Sequence, residues 1–194
     1  MIPPIIGVKV AVSDHRSSNP TGEELIRLGT AARRAGLLSG TPGLVTMHMG
    51  SGKGGLDPVF YALDHSDIPL RNFLPTHIGR TPELMAQGMD LVRRGGYIDF
   101  TGNEDIDYWE TICDEVRVST GIKRMLDEGV DSDLITISSD GQGSLPIYKD
   151  GQFMGMGIGQ SSCLLKEVKE CIERENIPLE IAIKPITSNP AKIL

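Results

Sequence analysis

Apolar residues fall along this chain in two kinds of segment. Five short runs, residues 7–13, 44–49, 73–77, 97–101 and 134–138, are nearly continuous in apolar side chains. That pattern predicts parallel strands covered on both faces. The longer segments between them read as helices over 23–37, 57–63, 82–94, 106–127, 161–175 and 178–186, the fourth broken near Gly121. Local punctuation agrees. Asn19-Pro20-Thr21 opens the first helix, where a proline's missing N–H does no harm. Thr81 is the expected N-cap of the third, and Gly95-Gly96 its end. Gly40-Thr41-Pro42-Gly43 reads as a turn, and 140–159 as a long glycine-rich loop. Strand followed by helix, five times over, predicts an α/β fold with a parallel sheet.

The polar residues at the ends of these runs change the picture. His48 follows the second run, His77 ends the third and Asp140 follows the fifth, while the first contains Lys9 and leads into Ser13-Asp14-His15-Arg16. A (β/α)8 TIM barrel gathers its active site in this way, at the C-terminal rim of its strands. The residue types point to metal-assisted hydrolysis. The chain has 194 residues, enough for one domain with a real core. A complete barrel usually takes about 250. The expectation is therefore a partial (β/α) barrel occupying residues 1–194.

Composition narrows the function classes. The net charge is −7 with no long basic run, which argues against nucleic acid as a partner. No stretch of about 18 apolar residues predicts a membrane span. The opening residues Met1-Ile2-Pro3-Pro4-Ile5-Ile6-Gly7 lack the basic and apolar regions of a signal peptide. Three unevenly spaced cysteines, Cys113, Cys163 and Cys171, do not make a disulfide framework, and a cytoplasmic location is expected.

Each candidate residue has a bland reading beside the functional one. Lys9 is either an edge-strand lysine facing solvent or, carboxylated by CO₂, an anionic ligand bridging two metals. His48 and His77 close successive strands, so their imidazoles would converge on one point as metal ligands. Asp140 precedes Gly141, a common turn pair. It is also placed to touch a metal and act as the catalytic acid/base, passing a proton from bound water to a leaving amine. Arg16 and Arg80 lie just past strand ends and suit bidentate binding of substrate carboxylates, or else are solvated surface residues. Ser144 either hydrogen-bonds a substrate carboxylate or shapes its loop. His15 is read as orienting its neighbours and His65 as a surface residue at a helix end. Gly50-Ser51-Gly52-Lys53-Gly54-Gly55 does not have the spacing of a phosphate loop and reads better as a mobile loop over the site. Met47, Met49, Met154, Met156 and the cysteines read as packing or loop contacts.

Four blocks together carry a resemblance to a known family. They are Gly7-Val8-Lys9-Val10-Ala11-Val12-Ser13-Asp14-His15-Arg16-Ser17; His48-Met49-Gly50; Leu74-Pro75-Thr76-His77-Ile78-Gly79-Arg80; and Ser138-Ser139-Asp140-Gly141-Gln142-Gly143-Ser144-Leu145-Pro146. In order and approximate separation this set resembles the isoaspartyl (beta-aspartyl) dipeptidases of the amidohydrolase superfamily. The resemblance implies a binuclear zinc (β/α)8 enzyme that cleaves dipeptides joined through the aspartate side chain, using a zinc-activated hydroxide. It implies Lys9 as the carboxylated bridging ligand, His48 and His77 as ligands of one zinc, and Asp140 as ligand of the other and general acid/base. Arg16, Arg80 and Ser144 would hold the substrate's carboxylates.

The chain also departs from that family. It has no His-x-His pair, the family's first-strand ligands for the second zinc. The family's substrate-amine ligands, its carbonyl-polarising tyrosine and its β-sandwich domain have no counterpart here. The match starts at the family's fourth strand, so strands four to eight are expected, cut at Pro3-Pro4 and Leu194. Such a piece would expose a strand edge, hold one zinc or fewer well, and have little activity alone. A homo-oligomer or a complementing N-terminal segment is the expected partner. Two alternatives stand beside this reading. One is an amidohydrolase acting on cyclic amides, like dihydroorotases and hydantoinases; the other is a non-catalytic metal-binding subunit.

Overall fold

The structure, a computed structural model, describes residues 5–103, 105–149 and 151–194. The segment Met1–Pro4, which the sequence reading took as free of leader character and as the start of the cut, lies outside the described residues. Strands β1 (Gly7–Val12), β2 (Leu44–Met49) and β3 (Phe73–Thr76) form a parallel sheet in that order. Strands β4 (Ile98–Thr101) and β5 (Ile135–Ser138) form a second parallel pair. β3 and β4 lie side by side, but no hydrogen-bonded ladder joins them, so two open sheets are seen rather than a closed barrel. The α/β reading with parallel strands holds.

Register assigns the two faces. Lys9 sits beside Thr46, Ala11 beside His48, and His48 beside Thr76. In the second pair Asp99 sits beside Thr136 and Thr101 beside Ser138. Side chains alternate along a strand, so these largely polar residues share one face of each sheet. The other face carries Val45, Met47, Met49, Phe73, Ile98, Phe100, Ile135 and Ile137, all buried. Met47 and Met49 are thus core residues, as read from the sequence. Against this apolar face pack α1 (Gly22–Ser39), α2 (Asp57–Asp64), α3 (Pro82–Arg93) and α5 (Val118–Asp127) through Leu25, Val59, Leu91 and Met125.

Helix ends follow their capping chemistry. Thr21 caps α1 in a reciprocal capping box with Glu24, and Thr81 accepts a hydrogen bond from the Leu84 N–H at the start of α3. After α3 the chain turns through Gly95 at φ 88°. The segment 106–127 is two helices, α4 (Ile106–Cys113) and α5, and the break is not at Gly121. It falls at Asp114, which takes a left-handed φ of 54°. Gly121 lies inside α5, against the Phe100 ring.

Two further expectations are corrected. The segment 140–159 holds a β-hairpin, β6 (Ser144–Lys149) and β7 (Gln152–Ile158), rather than an open loop. Tyr148 of the hairpin stacks on Tyr108 and meets Trp109 of α4 edge-on, and Phe153 packs edge-on against Tyr148. β1 is not covered on both faces, because Val8 and Lys9 are exposed at the edge of the sheet. Helices α6 (Cys163–Glu173), α7 (Leu179–Ala182) and α8 (Ser188–Ile193) complete the chain, the last not foreseen. Cys163 and Cys171 are buried in α6, whereas Cys113 at the end of α4 is exposed and packs nothing inward.

Candidate active site

The strand exits share a backbone device. Ser13, His77 and Asp140 all have positive φ, at 52°, 63° and 44°. Non-glycine residues adopt this conformation rarely and at a cost. Its effect is plainest at His77. Alternation along β3 would put residue 77 on the apolar face with Phe73 and Pro75, but the left-handed turn swings its ring to His48. The Gly79 carbonyl then accepts a hydrogen bond from the Val116 N–H at 2.6 Å, which fixes the turn that carries Arg80.

The two imidazoles meet edge to face, their planes at 70° and their centroids 4.3 Å apart. His48 Nδ1 and His77 Nε2 face one another at 2.9 Å. The outer nitrogens are also held. His48 Nε2 lies 3.2 Å from Asp14 Oδ2, and His77 Nδ1 lies 2.8 Å from Thr101 Oγ1. Burial is the main cause holding both histidines below their ordinary pKa, reinforced by the Arg80 cation; His77 is pushed down to about 2. Both rings are therefore neutral at physiological pH, the form that can ligate a metal.

Asp14 was not weighed as a site residue in the sequence. Its carboxylate is 4% exposed and accepts three hydrogen bonds from Arg16. They come from the backbone N–H at 2.8 Å, Nε at 3.2 Å and Nη2 at 3.0 Å, and His48 Nε2 lies against the same carboxylate at 3.2 Å. The Arg16 fork is the main cause that holds this carboxyl far below the usual carboxylate range. The glycine loop makes the placement possible. A Cβ on Gly50 would lie 2.3 Å from the Asp14 Cα, so only glycine lets the end of β2 approach this closely. The same loop is tied down rather than free to move over the site. The Gly52 N–H donates to the Ser13 carbonyl at 2.7 Å, Ser13 Oγ to the Gly55 carbonyl, and the Leu56 N–H to Gln87 Oε1.

The two arginines differ sharply. Arg16 is 65% exposed and already bound to Asp14. Arg80 is half-buried, with Nη1 3.4 Å from His48 Nε2. Glu115, Asp14 and Asp140 all oppose its charge, yet among the described residues none forms an ion pair with it. Burial is the main cause that lowers its pKa, against the opposing effect of those three carboxylates.

The remaining predicted residues are less gathered. Lys9 is exposed on β1, with its charge felt at both His48 and His77. Asp140 stands half-buried beyond β5, close enough to act on Arg80 and Asp99 but without contact to the imidazoles. Ser144 is exposed at the base of the hairpin. His15 projects into solvent and contacts Asp14 at 3.8 Å. His65 stacks on Tyr61 at the end of α2, a surface role as expected. Among the described residues no group of three or more His, Cys, Asp or Glu comes together to hold a metal. Asp99, also missed in the sequence, is a buried carboxyl on β4 that accepts from Thr136 Oγ1 at 2.7 Å and Ser138 Oγ at 2.6 Å. Its burial is the main cause that raises its pKa to about 7. Its one sequence signal is the one Lys9 also gave, an ionisable residue inside an apolar run.

No protein-family model matches the chain. Among solved structures it is similar to a beta-aspartyl dipeptidase from the thermophilic, keratin-degrading Fervidobacterium islandicum AW-1, determined with a beta-Asp-Leu dipeptide. The identity is 36% and the TM-score 0.86, over all of this chain and 50% of that one. A second structure of the enzyme from that organism gives 34% identity and a TM-score of 0.83, over all of this chain and 47% of that one. The phosphotriesterase homology protein of Escherichia coli, at 14% identity and a TM-score of 0.63, covers 95% of this chain and 57% of its own, and shares the fold alone. The chain thus spans about half the length of the dipeptidases it matches. The resemblance to them extends over the whole chain. No helix among the described residues is long and apolar enough to cross a membrane.

Proposed function

We propose that this chain, similar from end to end to half of a beta-aspartyl dipeptidase, carries part of a metal-dependent hydrolase centre acting on beta-aspartyl dipeptides. In this reading β1 to β5 correspond to strands four to eight of a (β/α)8 barrel. The observation that carries it is the pair of facing imidazole nitrogens beside an arginine that forms no ion pair among the described residues. At 2.9 Å the two nitrogens are close enough to serve one ion together once neither carries a proton on that side. His48 and His77 would hold zinc, with Lys9 in carboxylated form and Asp140 as the further ligands. Other divalent ions suit the same donors. When bound, the ion supplies Lewis-acid polarisation of the scissile carbonyl and lowers the pKa of the attacking water.

The chain's own residues do the rest. Arg80, desolvated and without an ion pair among the described residues, binds a carboxylate of the dipeptide. Arg16 joins it by exchanging Asp14 for the substrate, and Ser144 adds a hydroxyl donor from the hairpin base. Asp140 accepts a proton from water and delivers it to the leaving amine. The depressed basicity of the two histidines keeps their lone pairs available. The partner expected at the exposed β1 edge is a complementing segment or a second copy of this chain.

The test measures zinc content together with binding and hydrolysis of beta-Asp-Leu, and of a cyclic amide for comparison. The expected result is up to about one zinc, dipeptide binding that Arg80→Met weakens, and slow turnover that rises when a complementing N-terminal segment is added. Preference for the cyclic amide, or no binding of zinc or dipeptide, would overturn the reading. Robust turnover by the chain alone would defeat the expectation of low activity.

A further inference from the structure

The nitrogen His48 Nε2 faces two groups with opposite demands. Asp14 Oδ2, at 3.2 Å, can only accept a hydrogen bond; Arg80 Nη1, at 3.4 Å, can only donate one. The proton on this ring decides between two chains of hydrogen bonds. In one, Thr101 donates to His77, His77 Nε2–H to His48 Nδ1, and His48 Nε2–H to Asp14. In the other every arrow reverses, from Arg80 through both rings to Thr101, and a bare nitrogen lone pair points at the Asp14 carboxylate.

We propose that Asp14 is a positioning residue that holds the His48 proton on Nε2 and so leaves Nδ1 bare toward His77. Three features support it. The Asp14 contact is the shorter one. Asp14 is nearly inaccessible and fixed by three hydrogen bonds from Arg16, so it cannot turn away from the ring. Arg80 sits at the long end of hydrogen-bond distance and has four other N–H groups to place. The two histidines are then prepared differently. His48 already has the tautomer a metal needs, because a ligating imidazole usually donates its other N–H to a carboxylate or similar group. His77 must move its proton from Nε2 to Nδ1. The Thr101 hydroxyl, which can accept as well as donate, allows this by rotating. The inference deepens the proposed metal centre and rests on that reading, but its first test needs no metal.

The near-isosteric variant Asp14→Asn gives the sharpest experiment. The Arg16 backbone N–H holds an oxygen at the Oδ1 position, so the asparagine amide would face His48 and donate to Nε2. Imidazole nitrogen shifts, measured by long-range proton–nitrogen NMR on metal-free protein, read the tautomer directly. The wild type should carry the proton on Nε2, and Asp14→Asn should move it to Nδ1. Zinc titration should then show a 10–100-fold weaker affinity in Asp14→Asn, the usual effect of losing such a partner. A wild-type proton on Nδ1 would overturn the proposal, as would an Asp14→Asn protein that keeps the wild-type tautomer. If the wild type binds no zinc, the metal reading fails while the tautomer result still decides the role of Asp14.

Discussion

The two sheets carry polar residues on the same face but treat them in opposite ways. On the β4–β5 pair, Asp99, Thr136 and Ser138 satisfy one another, and the carboxyl is only 3% exposed. On the β1–β3 sheet the polar groups form an open chain, from Asp14 through His48 and His77 to Thr101, with the half-buried Arg80 guanidinium beside it. Among the described residues that guanidinium has no ion pair, and a lysine stands exposed on the edge strand. Buried polar groups normally find partners within the protein. The difference teaches that the second sheet closes its buried carboxyl on its own hydroxyls, whereas the first leaves ionisable groups at its strand ends, where the proposed metal and substrate would bind.

Removing an imidazole should break that contrast most strongly. His77→Ala is expected to weaken zinc binding by about 100–1,000-fold, since four-ligand zinc sites bind with about 10–16 kcal/mol and each ligand carries a share. Calorimetric titration with zinc measures it. An unchanged affinity would remove the first sheet from the metal reading.

Asp99 tests the second sheet through pH. Its folded pKa of about 7 stands above the 3.8 of an ordinary aspartate, so the native state keeps this proton longer than the unfolded chain. Its contribution is therefore present at low pH and lost as pH rises from about 4 through about 7. Asp99→Asn should remove that loss. Its unfolding free energy, compared with wild type by urea titration at both ends of this range, should gain on the order of 2–3 kcal/mol at the higher pH. Equal pH profiles would show that Asp99 is charged and paired in a way this geometry does not contain.

The two arginines sharpen the comparison within the first sheet. Arg80→Met should lower kcat/KM for beta-Asp-Leu by about 10–100-fold, the worth of a charge-assisted contact. Arg16→Met should lower it several-fold less, because Arg16 must first leave Asp14. Equal losses would mean that the Asp14 pair opens freely. The smallest effect belongs to Ser138→Ala. It removes one hydrogen bond to Asp99 and should cost about 1 kcal/mol of stability without changing zinc affinity.

Much of this site could be read along the chain. The order of strands and helices followed from apolar patterning, and the caps at Thr21 and Thr81 from residue type. His48, His77 and Arg80 were recognisable because each lies at or just past the end of an apolar run. Asp14 was passed over because its partners are 34 residues away at His48 and two away at Arg16, separations that no periodicity links. Asp99 was hidden because an isolated carboxyl in a strand gives no hint of which hydroxyls will face it. The hairpin after Asp140 was hidden by its glycines, which read as loop until Tyr148 found Tyr108 and Trp109.

By itself the sequence determined the α/β class, the strand ends that bear chemistry and the family resemblance, since these depend on local pattern and on the identity of short blocks. Tertiary structure alone decided which residues touch. The left-handed turns at Ser13 and His77 rotate side chains off the strand alternation, so facing is set by backbone strain that spacing does not encode. It also decided the difference between Arg16 and Arg80, because desolvation and pairing depend on what the rest of the fold places around a charge.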